Sequence, residues 1–190
     1  RKGEENQIHP GADDNASGTA AVLELAAALA AEQQQKPEAF RRGLAVAFWS
    51  GEEIGLIGSS HFVEHPQQGL AISNVAAYVN FDMVGRLKNN ELMIQVAGSS
   101  DAWKPLVEKG NVAAGFSIKM DDDPYLPTDV TAFYPKGVPV LAFFTGSHED
   151  YHRPSDVDSK IDSAGLDRIA AFAIAIVDGL AGEISPPQFT

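Results

Sequence analysis

The chain of 190 residues contains no cysteine, which excludes disulfide scaffolds and thiolate zinc sites and leaves the redox compartment open. It is short of positive charge: 14 Lys and Arg stand against 26 Asp and Glu, a formal net charge of −12. That deficit argues against nucleic acid or an anionic membrane as partner, since both need basic patches. No apolar run approaches the length of a membrane span. No internal repeat and no low-complexity linker is visible. There is no initiator Met, and the chain opens at Arg1-Lys2-Gly3, so the lack of a visible signal peptide says little about location. What is present is an ordinary globular composition, 44% hydrophobic and 21% charged, enough for one domain with a full core.

Along the chain, short apolar runs alternate with helical patterns. The alanine- and leucine-rich stretch from Ser17 to about Gln34 predicts a helix, with Ser17 or Asn15 at its entrance. "GLAVAFWS" (43–50) reads as a strand buried on both faces. Residues 54–66 predict a short helix stopped by Pro66, and 75–85 and 91–98 two further strands. A helix near 101–114, a strand near 116–120 and a helical turn in 128–137 come next. "VPVLAFFTG" (138–146) is the most apolar strand, and 163–182 forms a strong amphipathic helix. The alternation predicts an α/β domain over 1–190, with a mixed, mainly parallel sheet between helices and residues 183–190 as a tail leaving it.

In such sheets ligands bind outside the carboxyl ends of the strands. Glu52 and Glu53 come after the 43–50 run, Asp82 after "AAYVNF", and "SHEDYHRPSD" brings His148, Asp150, His152 and Asp156 after the last strand. Asp13-Asp14-Asn15 sits at the entrance of the first helix. Each group has an ordinary structural reading alone: Asp and Asn cap helices, and a Glu pair favours a helix start. Four separated segments converging on one rim favour metal-assisted hydrolysis, in which a carboxylate bridges two divalent ions about 3.5–4 Å apart. Oxygen and imidazole donors without thiolate suit zinc, with manganese or cobalt able to substitute. Of Glu52 and Glu53, one can bind metal while the other takes a proton from water.

"PGADDNASG", "SGEEIGLIGS", "NFDMVGR" and "GVPVLAFFTGSHEDYHRPSD" together resemble the di-zinc aminopeptidases, the leucyl aminopeptidase-like metallopeptidases of family twenty-eight. The resemblance covers nearly the whole chain. It implies Asp14 as the carboxylate shared by two zinc ions, with a cis bond between Asp14 and Asn15. It further implies Glu52 as general base, Glu53 and His152 as ligands of one ion, and Asp82 as ligand of the other. Tyr151 resembles a tyrosine that hydrogen-bonds the tetrahedral intermediate, Asp156 is expected to orient His152, and Asp13 to be structural. Peptide or protein N-termini are the implied substrates, and an extracytoplasmic location the implied setting.

One feature departs from the family. Its members carry a His-x-Asp motif on a strand upstream of the "ADDN" segment, and His9 in "IHPG" does not match it. The chain therefore resembles a catalytic domain without its N-terminal strands, expected to bind one metal, to bind weakly or to be inactive. "HFVEH" (61–65) fits an inverzincin zinc signature, but Pro66 ends its short helix, and His61 and His65 are expected to face solvent. Two rival functions stand beside the peptidase: a single-zinc glutaminyl-cyclase-like transferase, and a non-catalytic binding domain of the same fold.

Overall fold

A computed structural model describes residues 3–4, 6–67, 69–183 and 185–190. Among the described residues, four strands form one mixed sheet: β1 (Tyr78–Phe81), β2 (Glu91–Gln95), β3 (Ser117–Met120) and β4 (Val140–Phe144), in the order β1-β4-β2-β3. The pairs β1/β4 and β2/β3 are parallel, and β2/β4 is antiparallel. The helices are α1 (Gly18–Gln35), α2 (Ile57–Glu64), α3 (Trp103–Ala114), α4 (Val130–Phe133) and α5 (Ser163–Gly182).

Strand alternation explains the layers. On β4, Leu141 and Phe143 face a core built from Leu25 and Leu29 of α1, Trp103 and Val107 of α3, and Ile169, Phe172 and Ile176 of α5. Val140 and Ala142 face the other way, toward Val63 of α2 and Val130 and Phe133 of α4. A strand covered on both faces has no solvent side, so its sequence runs apolar without a break. The spacing Ala21, Leu25, Leu29 puts one stripe of α1 against α5, and all three are buried. Among the described residues, no helix is long and apolar enough to cross a membrane.

The run 43–50 departs from its sequence pattern. It is not part of the sheet, and Leu44, Val46 and Phe48 are 41%, 42% and 50% exposed. A strand needs a ladder partner as well as apolar side chains, and among the described residues none pairs with 43–48. Only its end is anchored. Trp49 packs on Phe62 and Phe133 and donates its indole N–H to Tyr78 Oη at 3.1 Å, and Ser50 O accepts from Gly58 N at 2.8 Å. In hydrogen exchange the amides of 44–48 are expected to exchange near their intrinsic rates while those of β4 stay protected; equal protection would contradict the unpaired arrangement.

The C-terminal tail also differs from expectation. Rather than leading away, it folds back: Thr190 N donates to Ser99 O at 3.2 Å, and the Phe189 ring lies 5.1 Å from that of Tyr134.

Candidate metal centre

β1 and β4 run parallel, so their carboxyl ends open on the same rim. Asp82 leaves β1 there, and the loop carrying His148, Tyr151, His152 and Asp156 leaves β4. The wide turn Ala12–Ser17 is stitched to this rim by side chains. Asn15 Nδ2 donates to Phe81 O at 2.9 Å, and Asn15 Oδ1 accepts from Gly18 N at 3.1 Å and Met83 N at 3.3 Å. Asn15 thus caps α1 and ties it to the end of β1. The approach is close enough that a Cβ at Gly18 would collide with the Phe81 carbonyl oxygen.

The two aspartates before Asn15 have opposite fates. Asp13 is fully buried; its Oδ1 accepts from Gly85 N at 2.7 Å and from Ser17 Oγ at 2.9 Å, and its Oδ2 lies 3.0 Å from His148 Nε2. Asp14 turns outward across a cis peptide bond to Asn15. Its Oδ2 lies 3.0 Å from His152 Nε2, which is also 2.9 Å from Glu53 Oε1. One donor atom each from Asp14, Glu53 and His152 fall within 4.8 Å of one another. They line an open pocket of about 280 Å³ together with His9, Gly11, Arg153 and Asp156. The Tyr151 ring stacks on that of His152 at 3.8 Å.

Residues 3–177 match the model of peptidase family M28. The chain belongs to peptidase family M28. Aminopeptidase YwaD of Bacillus subtilis is 31% identical over 180 residues, covering 88% of this chain and 37% of that protein. Leupeptin-inactivating enzyme 1 of Streptomyces exfoliatus is 28% identical over 202 residues, covering 93% and 43%. The solved structure of BSAP, a zinc aminopeptidase from Bacillus subtilis, superposes with a TM-score of 0.69 at 25% identity, covering 95% of this chain and 45% of that one. The chain therefore spans less than half the length of these relatives.

The electrostatics of this M28 site fit a divalent cation. Five carboxylates crowd the rim: Asp14, Glu52, Glu53, Asp82 and Asp129. Burial, reinforced by the charge of Glu53, pushes Glu52 up to about 7. Burial, then the charges of Asp14 and Glu52, pushes Asp82 up to about 7. Asp14 rises to about 6, because burial and Glu53 outweigh the attraction of His152. Burial, with these carboxylates adding to it, also raises the Tyr151 hydroxyl. Among the described residues the ion pairs to Asp14 and Glu53 come from His152, not from Lys or Arg. Hard oxygen donors and one imidazole, crowded beyond what their own charges tolerate, are the donor set zinc takes.

Asp82 stands outside the close trio but is coupled to Asp14 and Glu52 by charge. Asp156 does not orient His152. Its Oδ2 accepts from the N–H groups of Asp13 at 2.9 Å and Asp14 at 3.1 Å, so it holds the backbone of Asp14 instead of the His152 ring. His9 lines the pocket but does not join the trio. His61 and His65 stack on each other at 4.6 Å on the solvent side of α2. Sequence reasoning missed Asp129, whose carboxyl is raised mainly by burial and which adds charge to Glu52 and Asp82. It lies at the start of α4 rather than after a strand, and "PTDV" resembles an ordinary helix entrance.

Proposed function

We propose that this chain carries the metal centre of a zinc aminopeptidase acting on peptide and protein N-termini. The observation that carries the reading is the convergence of Asp14, Glu53 and His152 within 4.8 Å, with Glu52, its carboxyl near 7, beside Glu53. Glu53 and His152 would hold one zinc, Asp82 a second, and Asp14 would be shared. Zinc bound there supplies Lewis-acid polarisation of the scissile carbonyl. Glu52 takes a proton from the attacking water and returns it to the leaving amine. The Tyr151 hydroxyl, which stays protonated at neutral pH, donates to the developing oxyanion. The carboxylate rim attracts the free α-ammonium of the substrate, which restricts cleavage to chain ends. The family resemblance supports an extracytoplasmic setting.

The test pairs elemental mass spectrometry after dialysis against trace zinc with hydrolysis of an amino-acid p-nitroanilide and its N-acetylated analogue. Stoichiometric zinc and cleavage of the free-amine substrate alone are expected; cleavage of both would overturn the exopeptidase reading. The close trio is itself a one-metal arrangement, and this favours the cyclase-like transferase as second reading. Release of ammonia from an N-terminal glutamine, rather than of an amino acid, would select it. Zinc bound without turnover of either substrate class would fit the non-catalytic domain and equally a site without the His-x-Asp ligand.

A further inference from the structure

Asp14 owes its place to groups that are not expected to touch a metal. Its own N–H and that of Asp13 are both donated to one carboxylate oxygen, Asp156 Oδ2, at 3.1 and 2.9 Å. The clasp is closed by the backbone, where Ala12 N donates to Asp156 O at 3.2 Å. Asp156 is 1% exposed. Its other oxygen lies 3.2 Å from Arg86 Nη2, and the same nitrogen lies 3.3 Å from Asp150 Oδ2. Asp150 also takes a charge from Lys160. On the far side Asp13 is fastened to Gly85, Ser17 and His148, so the Asp13–Asp14 peptide is gripped from two directions.

We infer that Asp156, with Arg86 behind it, is a positioning residue of the metal centre. Its carboxylate fixes the backbone that aims Asp14 at His152. The inference rests on the reading of Asp14, Glu53 and His152 as ligands. The loop after β4 acts twice, since His152 supplies a donor and Asp156, four residues later, clamps the backbone of the donor opposite. A displacement of this loop moves both together, so the distance between Asp14 and His152 is held by one short segment. A carboxylate is needed because two N–H groups and a guanidinium must share its two oxygens.

A purely structural ion pair would contribute stability without affecting the metal, and Asp150 provides the control. Asp150→Asn disturbs the same Arg86 network but touches neither amide. In the full chain, Asp156→Asn is expected to weaken zinc binding by about 10–100-fold, measured by chelator competition. It is also expected to speed exchange of the Asp13 and Asp14 amides in the metal-free fold relative to those of β4. Asp150→Asn is expected to lower the melting temperature while leaving zinc affinity within about twofold. Zinc affinity unchanged in folded Asp156→Asn, or an equal loss in Asp150→Asn, overturns the proposal. Should Asp156→Asn not fold, Arg86→Lys keeps the charge but loses the planar geometry, and a zinc affinity equal to that of the parent would overturn it in turn. If the parent chain binds no zinc, the ligand reading fails, and the exchange rates of amides 13 and 14 still decide whether Asp156 positions them.

Discussion

Glu52→Gln is expected to lower turnover by about 10²–10⁴-fold, the range a positioned acid–base group contributes, while bound zinc stays at the parental level. The two effects separate because Glu52 lies outside the trio of donor atoms. Its carboxyl sits near 7, raised by burial and by its neighbours Glu53, Asp129 and Asp14. A base poised there is half ionised at neutral pH, and it can take up a proton and release it again within one cycle. Glutamine keeps the volume and the hydrogen-bonding reach but cannot accept a proton. The experiment measures kcat on an amino-acid p-nitroanilide alongside zinc content by elemental mass spectrometry. Turnover near the parental value would remove Glu52 from the base role. Loss of zinc together with turnover would make it a ligand instead and leave Glu53 as the candidate base.

Much of this site was legible because strand ends are legible. The unbroken apolar run of β4 fixes a strand buried on both faces, and the residues just beyond such a strand are delivered to the sheet's edge. Strand ends put Asp82 and the segment 148–156 at the rim and a helix entrance puts Asp13-Asp14-Asn15 there, while the choice of Asp14 and His152 within those segments comes from the family resemblance. Relations set by tertiary partners could not be read from sequence. Leu44, Val46 and Phe48 record a capacity for burial, but pairing needs a neighbouring strand, and composition is silent about neighbours. The resemblance implies that Asp156 orients His152. Asp156 instead spends its carboxylate on the backbone N–H groups of Asp13 and Asp14 and on Arg86, contacts that spacing along the chain does not reveal. Asp129 was passed over because an acid at a helix start has an ordinary explanation, and only its burial beside Asp82 and Glu52 distinguishes it.

The same crowding of acids predicts opposite responses to pH with and without metal. In the metal-free chain Asp14 sits at about 6 and Glu52 and Asp82 at about 7, all above the ~4 of a solvated carboxyl. The folded state therefore holds more protons than the unfolded state between those limits. Their stabilising contribution is complete below about pH 4 and is lost as pH rises through 7. Asp150 has the opposite sign, held low by its hydrogen bond from Lys160, but it exchanges protons only at lower pH and leaves the window from 5 to 8 undisturbed. Screening at the partly exposed Asp14 and Glu52 reduces this contribution without changing its sign. The melting temperature is therefore expected to be lower at pH 8 than at pH 5 in the presence of chelator. On the proposed ligand set zinc would reverse the order, because it would displace the protons from Asp14 and Asp82. Its affinity is expected to rise about 10²-fold from pH 5.5 to 7.5, and saturating zinc to make pH 8 the more stable condition. Thermal melts at both pH values, with chelator and with zinc, check both signs. A metal-free chain that melts higher at pH 8 would show that these carboxylates do not repel one another in the fold, and a cation among them would lose its electrostatic rationale.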